Sequence, residues 1–355
     1  MSNTMLTESM REFFPKSRIL QIGLGVIFLV LLLNPWLIGG SKALLVAAKI
    51  CVFILLVASY DLLIGYTGIV SFAHTIFFAF GAYGVAIALS SLGATWAALG
   101  LGLLCSVGLS AMFALALGLL SFRVKRIFFA MVTLAIASAV AIFINQNSGI
   151  TGGEDGLRIK LPKEISPSFK LLNEKIGGVR INGKLISFYL IFATCTALFL
   201  VLIRITKSPF GRVLESIREN EFRTNALGYN SRLYVIGSLV IASFFATIAG
   251  ALIAIANRYI NTDMTASLQI MIDILLMVVI GGMGTIYGAV FGVTLVMIAQ
   301  YYIPSLLNLV NTATVDTPIS MFFEHERWLF WLGVIFILCV YFFPQGIAGK
   351  LEKRH

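Results

Sequence analysis

Apolar segments of about 20 residues follow one another along almost the whole chain, and a helix of that length spans a bilayer. Inside a bilayer the backbone N–H and C=O groups have no water to bind, so such segments form helices that satisfy them internally. The sequence therefore predicts an all-α polytopic membrane protein with about ten transmembrane or partial helices. The predicted segments are 19–38, 43–63, 69–91, 94–121, 127–146, 186–206, 233–256, 267–280, 285–303 and 327–343.

The composition excludes an ordinary soluble domain. Hydrophobic residues make up 59% of the chain and charged residues only 12%, whereas soluble domains carry about 25% charged residues. The net charge of +10 comes mainly from basic residues between the apolar segments, which fits membrane topology and anionic headgroups. Because no basic surface is interleaved with aromatic residues, we predict no nucleic-acid partner.

The cysteines do not indicate a metal site. They lie far apart within apolar segments, and neither a CxxC motif nor a Cys/His ligand spacing occurs. We therefore assign them to the packed interior and predict no bound metal. They are Cys51, Cys105, Cys195 and Cys339.

One loop, 147–185, divides the chain into two halves of five segments each. An odd number of spans per half gives the halves opposite senses in the membrane, which is compatible with an inverted repeat. The predicted organisation is an N-terminal cytoplasmic segment 1–18, a first membrane half 19–146, a periplasmic loop 147–185, a second membrane half 186–343 containing a cytoplasmic segment 207–231, and a cytoplasmic tail 344–355.

Lysine and arginine set the expected orientation. With both termini in the cytoplasm, 15 basic residues lie inside and ten lie outside. Basic residues favour the cytoplasmic side of membrane proteins. We therefore expect a multi-pass membrane protein with both termini cytoplasmic.

Segment 208–228 stands out as a charged, amphipathic stretch between membrane spans. Its apolar side chains recur at i, i+3, i+4 and i+7, the spacing of one helix face. Ser208 is a suitable helix cap, Pro209 suits the first helical position, and Gly228 can end the helix in a left-handed conformation. The apolar face consists of Phe210, Val213, Leu214 and Ile217.

This helix is expected to dock against another protein. The alternative is a helix lying on the lipid headgroups, but such helices favour Lys and Arg on the polar face. The polar face here carries both signs, because Glu215, Glu219 and Glu221 accompany the arginines. The mixed charge favours protein docking.

A few polar residues within the apolar segments are candidates for a substrate pathway. A carboxylate such as Asp273 is costly in a bilayer unless it is paired or faces water. With Gln269 it is interpreted either as a pathway residue or as a helix-pairing residue, and both readings stay open. His74, with Ser71 and Thr75, is the second candidate, although hydrogen-bonded packing is the favoured interpretation because no metal-spaced partner occurs.

Glycine-rich turns predict interruptions at two spans. The first turn carries Gly65 and Gly68, and it opens the third apolar segment. The second turn carries Gly281, Gly282 and Gly284, and the short eighth segment stops there. Broken helices of this kind are frequent in transporters, so these glycines are candidate hinge or packing positions.

No catalytic motif occurs in the sequence. GxxxxGK[ST], HExxH and GxSxG are all absent, so the chain cannot by itself cradle ATP phosphates and no enzymatic role is nominated. If the chain moves a solute against a gradient, the energy comes from ion coupling or from a partner.

Several motifs resemble one family in their order along the chain. They are similar to the signature stretches of branched-chain amino acid ABC transporter permeases of the LivM type. The chain departs from the family's common pattern at Phe72-Ala73 and at Phe222–Asn225. The similar stretches are Gly65–His74, Phe77–Tyr83, Thr151–Leu157, Ser208–Gly228, Met277–Gly288 and Phe342–Ile347.

The resemblance implies a subunit of an ATP-driven importer. Its expected partners are a second homologous permease, two ATP-binding subunits and a periplasmic substrate-binding protein. ATP and Mg are expected in the ATP-binding subunits, and no cofactor is expected in this chain. By analogy the apolar face of 208–228 would dock in a groove of the ATPase and the charges would set register. The implied ATPase-coupling residues are Phe210, Arg212, Val213, Leu214, Glu215, Ile217, Arg218, Glu219, Glu221 and Gly228.

The cargo implied by the resemblance is leucine, isoleucine or valine. Relatives that import urea, short amides or other small amphipathic acids are the first alternative. A stand-alone secondary transporter that uses Asp273 for ion coupling is the second, and an intramembrane enzyme is the third.

Overall fold

The computed structural model describes residues 17–37, 40–124, 126–176, 179–313 and 325–352. In the first half the helices are α1 Arg18–Leu37, α2 Ser41–Asp61, α3 His74–Ser91, α4 Trp96–Ser121, α5 Arg126–Gln146 and α6 Ser148–Thr151. In the second half they are α7 Gly183–Lys207, α8 Pro209–Ala226, α9 Ser231–Asn257, α10 Leu268–Gly281, α11 Ile286–Ala313, α12 Trp328–Phe342 and α13 Gly346–Glu352.

The described part of the chain confirms the predicted membrane spans. It contains nine stretches long and apolar enough to cross a membrane: α1, α2 with the turn after it, α3, α4, α5, α7, α9, α11, and α12 with α13. The tenth segment, α10, has only 14 residues, as the short eighth segment predicts. The protein is an all-α polytopic membrane protein.

The loop between α5 and α7 carries the short strands. β1 Leu157–Arg158 pairs antiparallel with β4 Tyr259–Ile260, which follows α9. β2 Lys170–Ile176 pairs antiparallel with β3 Val179–Asn182. The Asn182-Gly183 pair forms no hairpin turn, because Gly183 begins α7 directly after β3. Short 3-10 helices lie at Gly153–Asp155, Lys163–Ile165 and His325–Arg327.

The interior of the membrane domain is built from α2, α3 and α9. These three have the largest buried share of the spanning helices, whereas α1, α5 and the span of α12 with α13 have the smallest, at 22%, 22% and 11%. In a bilayer that exposure is ordinary, because lipid tails are as apolar as the side chains. The three central helices therefore form the scaffold on which the functional elements are mounted.

Two glycines allow α3 and α9 to cross with their backbones in contact. A Cβ atom at Gly81 would overlap the carbonyl oxygen of Thr247, and one at Gly250 would overlap that of Phe78. Small residues at such crossings permit close approach in membranes. The Thr247 hydroxyl then donates to Ser110 Oγ on α4 at 2.7 Å, which joins a third helix to the crossing.

Substituting alanine at Gly81 is expected to destabilise the membrane domain by about 1–3 kcal/mol, because the added methyl group overpacks the crossing. The measurement is the thermal unfolding midpoint of the purified protein in detergent. Gly108→Ala is the matched control, since Gly108 lies within α4 and a Cβ there meets no atom within 4 Å. Equal midpoints for the two variants would contradict the prediction.

Candidate functional site

Segment α8 consists of two helical pieces and not of the single helix predicted from the sequence. The break is at Asn220, whose backbone angles of −158° and 98° are extended. The Asn220 side-chain oxygen accepts a hydrogen bond from the Arg223 N–H at 3.0 Å. Asn220 thus caps the second piece, which is a common use of asparagine at a helix start.

The ends of α8 confirm part of the prediction. Pro209 occupies the start of the helix, and Gly228 follows the end with a φ of 93°. Ser208 differs from the prediction, because its side chain does not cap the helix. Its hydroxyl donates instead to the carbonyl oxygen of Ile205 at 2.6 Å, on the helix that comes before.

The apolar face of α8 is turned toward the protein's own membrane domain. Val213, Leu214 and Ile217 are buried there, the last two almost completely, and the segment packs on α7, α9 and the turn after α2. Phe210 stacks on Tyr234 of α9 with 5.6 Å between ring centroids. In this structure the four side chains therefore contact the protein's own helices, and their anchoring in a partner's groove stays a prediction.

The outer surface of α8 carries charge. Arg212, Glu215 and Glu219 are exposed. Partial burial raises the pKa of Glu215 above its usual value and Glu219 raises it further, whereas Arg218 and Arg212 lower it. Both signs of charge therefore lie side by side here, as the sequence predicts.

The most exposed apolar side chains of this region lie beyond the break. Phe222 is 85% exposed, Leu227 is 69% exposed and Tyr229 is 45% exposed. These three residues are named the apolar tip. Sequence periodicity missed them because they do not continue the stripe of Phe210 and Ile217.

Hydrogen bonds fix the second piece of α8 to the membrane domain. Ser216 and Thr224 join the two pieces through their hydroxyls at 2.7 Å. The Glu221 carboxylate accepts a hydrogen bond from the Ser231 hydroxyl at 2.9 Å, and the Asn225 side chain accepts from the Ser231 N–H at 3.1 Å. Because Ser231 begins α9, these bonds join the second piece of α8 directly to that central helix.

The two glycine-rich turns meet at the same end of the membrane domain. Asp61 ends α2, and a π-helical turn, Leu62–Thr67, continues it to Gly68, which is left-handed with a φ of 70°. The Asp61 carboxylate accepts a hydrogen bond from the Gly284 N–H at 2.8 Å. A Cβ at Gly65 would overlap both Asp61 Oδ1 and the backbone nitrogen of Gly284.

Arg218 of α8 reaches this contact between the turns. Its Nη1 donates to the carbonyl oxygen of Gly65, and it lies against Gly284. We name Arg218, Asp61, Gly65 and Gly284 the glycine junction. The structure thus brings one predicted coupling residue together with two of the predicted hinge glycines.

The other hinge glycines pack against the start of the following helices. Gly281 lies against the backbone of Gly288 on α11. Gly282 has a φ of 114° and lies against the backbone before α13. The second turn thus ends the short helix α10, as the sequence predicts, whereas the first turn lies at the end of the second span, which Leu62–Thr67 continues.

A polar cavity of about 430 Å³ opens between α8 and the glycine junction. Glu215 and Arg212 line it from α8, and Tyr66 and Gly284 line it from the two turns. At its rim the Lys207 ammonium donates to the Tyr287 hydroxyl at 2.9 Å.

The pathway candidates around His74 lie in the interior. Ser71, His74 and Thr75 are buried, and His74 Nε2 is 2.9 Å from the Ser59 hydroxyl. The other ring nitrogen and the Ser71 hydroxyl have no hydrogen-bond partner in the described structure. The Tyr60 ring packs 5.2 Å from the His74 ring.

Asp273 and Gln269 lie elsewhere, on α10. Gln269 is exposed, and its amide donates to Asp273 Oδ1 at 3.3 Å. Asp273 is buried, and the side chain of Gln300 on α11 lies near it. The carboxylate therefore lies between two neighbouring helices, and both the pathway and the helix-pairing interpretation stay predictions.

Comparisons with known proteins give the family. A family model described as branched-chain amino acid transport system / permease component matches residues 43–343. The high-affinity branched-chain amino acid transport system permease protein LivM of Escherichia coli is 25% identical over 329 residues, which cover 87% of this chain and 70% of that protein. The corresponding protein BraD of Pseudomonas aeruginosa is 24% identical over 310 residues, which cover 84% of this chain and 92% of that protein.

A probable branched-chain amino acid transport permease protein LivM of Methanocaldococcus jannaschii is 27% identical over 238 residues, 65% of this chain and 62% of that protein. No solved structure matches the chain. The family match runs from the first turn of α2 to the end of α12 and includes both glycine turns and α8. The chain belongs to the family of branched-chain amino acid transport system permease components.

Proposed function

We propose that the protein is the permease subunit of an ATP-driven importer that moves leucine, isoleucine or valine across the inner membrane by alternating access. The observation that carries the proposal is the family match over residues 43–343. Membership of the family implies a multi-subunit transport system. The proposal also covers the protein's partners, its orientation in the membrane and its cargo.

The proposed partners are a second homologous permease, two ATP-binding subunits and a periplasmic substrate-binding protein. ATP is hydrolysed in the separate subunits, because the sequence has no phosphate-binding loop. The segment after α7 supports this arrangement, since its apolar tip and its charged surface face away from the membrane domain. A surface of this kind fits a soluble protein better than lipid headgroups, because its charges have both signs.

The proposed docking surface is the apolar tip with the charges around it. The apolar residues Phe222, Leu227 and Tyr229 supply the anchoring contacts, and Arg212, Glu215 and Glu219 set the register. Under this proposal α8 lies in the cytoplasm, and both chain termini lie on the same side.

Uptake by the assembled transporter tests the proposal. The chain is produced together with the two ATPases, the second permease and the binding protein encoded by neighbouring genes, and is reconstituted in liposomes. ATP-dependent uptake of labelled leucine, isoleucine or valine is expected, with none when the ATPases are omitted. Uptake of urea or a short amide without uptake of these three amino acids would reassign the cargo, and uptake without ATPases would contradict the importer class.

Replacing Asp273 with asparagine is expected to leave ATP-dependent uptake within about twofold of wild type, because the amide oxygen can still accept the hydrogen bond from Gln269. The measurement is initial uptake rate, with and without a proton gradient. Loss of uptake in a variant that still folds and binds the ATPases would instead assign Asp273 to the pathway or to ion coupling.

A further inference from the structure

We infer that the glycine junction is the element that transmits the movement of α8 to the two interrupted spans, and that Arg218 is its positioning residue. The inference rests on the proposed function, since it needs an ATPase that displaces α8. It concerns a different step, because docking is assigned to the apolar tip and transmission to the junction.

The first support is that the junction joins three elements that are remote in sequence. Asp61 and Gly65 belong to the end of the second span, Gly284 to the turn after α10, and Arg218 to α8. The Asp61 carboxylate bonds to Gly284 at 2.8 Å. The Arg218 guanidinium bonds to the Gly65 carbonyl oxygen. One side chain of α8 therefore holds a contact between the two halves of the membrane domain.

The second support is the absence of free space between the turns. A Cβ at Gly65 would overlap Gly284, and a Cβ at Gly284 would come within 2.8 Å of Arg218 Nη1. Packed contacts of this kind change between discrete arrangements and do not deform gradually. Movement of Arg218 must therefore either separate the two turns or carry both with it.

The third support is electrostatic. Asp61 is buried at the end of a membrane span, and its second carboxylate oxygen has no hydrogen-bond partner in the described structure. A carboxylate in this position is costly unless it is paired. Arg218, which bonds to the neighbouring Gly65 carbonyl oxygen, brings a positive charge to this region that favours the ionised carboxylate. The attraction between the two groups thus favours the arrangement in which α8 is seated against the turns.

The fourth support is the local backbone. The π-helical turn Leu62–Thr67 interrupts regular helix geometry between Asp61 and Gly68. Such bulges are frequent at functional sites. The Gly284 side of the junction has left-handed backbone at Gly282 and Gly284. Both turns can therefore change conformation at glycines while α2 and α10 remain intact helices.

These contacts give a sequence of events. When the ATPases draw the apolar tip away, the end of the first piece of α8 that carries Arg218 shifts with it, because Ser216 and Thr224 link the two pieces, while the apolar face of that piece stays on the membrane domain. Arg218 then leaves the Gly65 carbonyl oxygen and the Asp61 charge. The turns separate, and the ends of α2 and α10 move apart on this side of the membrane. Reseating Arg218 reverses the change.

Arg218→Ala in the full transporter tests the inference. The variant is expected to bind the ATPases as wild type does, while amino acids imported per ATP hydrolysed fall by about tenfold, within the range of typical coupling energies. Arg218→Lys keeps the charge but not the guanidinium geometry, so an intermediate ratio is expected. Arg123→Ala is the matched control, because Arg123 is an exposed arginine after α4 outside the junction.

Asp61→Asn is the second variant, and it keeps the inference testable if Arg218→Ala does not fold. The asparagine oxygen can still accept from the Gly284 N–H, but the charge that attracts Arg218 is gone. A smaller fall in the same ratio is expected, with an unchanged unfolding midpoint. A wild-type ratio in both Arg218→Ala and Asp61→Asn would overturn the inference, as would loss of ATPase binding in Arg218→Ala, which would make Arg218 a docking residue.

A readout without cargo separates this inference from the proposed function. Met283, beside Gly284, is half-exposed, so Met283→Cys in a background without the four native cysteines reports on the turn. The rate of maleimide labelling is expected to differ between nucleotide-free and ATP-trapped transporters, and Arg218→Ala is expected to remove the difference. If the wild-type transporter imports none of the three amino acids but shows this difference in labelling, the proposed cargo is contradicted and the inference about the glycine junction is supported. Labelling independent of nucleotide in wild type would overturn the junction.

Discussion

Replacing Phe222 with glutamate is expected to separate the protein from the proposed ATPase subunits while the membrane domain stays folded. Phe222 is 85% exposed and forms the end of the apolar tip, so the change leaves the interior intact. Aromatic anchors dominate protein interfaces, and losing one costs about 2 kcal/mol or more. The affinity for the ATPases is therefore expected to fall by roughly thirtyfold or more, and uptake is expected to fall with it.

The measurement is a binding titration of the ATPase subunit against the permease in detergent, followed by uptake in liposomes. Leu92→Glu is the matched control, because Leu92 is an exposed apolar residue after α3, at the opposite end of that helix from the turn Leu62–Thr67. Unchanged binding by Phe222→Glu would remove the apolar tip from the interface. A lowered unfolding midpoint in this variant would show that Phe222 supports the fold instead.

The spans could be predicted from sequence because the bilayer imposes one condition on every segment. Backbone groups in lipid must be satisfied within the helix, so length and hydropathy alone identify a span. This holds even for α10, whose 14 residues were predicted as a short segment ending at Gly281. The two glycine turns could be predicted for the same local reason, since glycine-rich stretches interrupt helices.

The contact between the two turns could not be predicted. Asp61 and Gly284 are hydrogen-bonded across most of the chain, and no periodicity relates their positions. The sequence also gave no reason to separate Arg218 from the other charges of α8. Its role depends on one donor reaching the Gly65 carbonyl oxygen, which requires the packing of both halves to be known.

The surface that covers the apolar face of α8 could not be predicted, for a physical reason. Spacing at i, i+3, i+4 and i+7 shows that a helix has an apolar face, but it does not say what covers that face. In this protein α7, α9 and the turn after α2 cover it. The break at Asn220 then turns the Phe222 side chain outward. The continuous helix that the sequence predicts did not indicate that Phe222 would be a docking residue.

Leu214→Glu combined with Ile217→Glu is consequently expected to damage the membrane domain itself. The two side chains are almost completely buried against it. Each loses about 1.5–3 kcal/mol of apolar burial, and each introduces a carboxylate without a partner, which adds a further penalty. Together these losses approach the whole stability of an ordinary domain, about 5–15 kcal/mol.

The measurement is the amount of monodisperse protein after extraction and its unfolding midpoint, with Phe222→Glu as the comparison that adds the same charge on the exposed side. We expect little folded double variant and near-normal amounts of Phe222→Glu. If the apolar face of α8 were instead the ATPase anchor, the double variant would insert and fold normally and lose only ATPase binding. The two hypotheses thus predict opposite results for the double variant. One preparation of each variant therefore shows whether α8 stays seated on its own membrane domain or leaves that domain to enter a partner's groove.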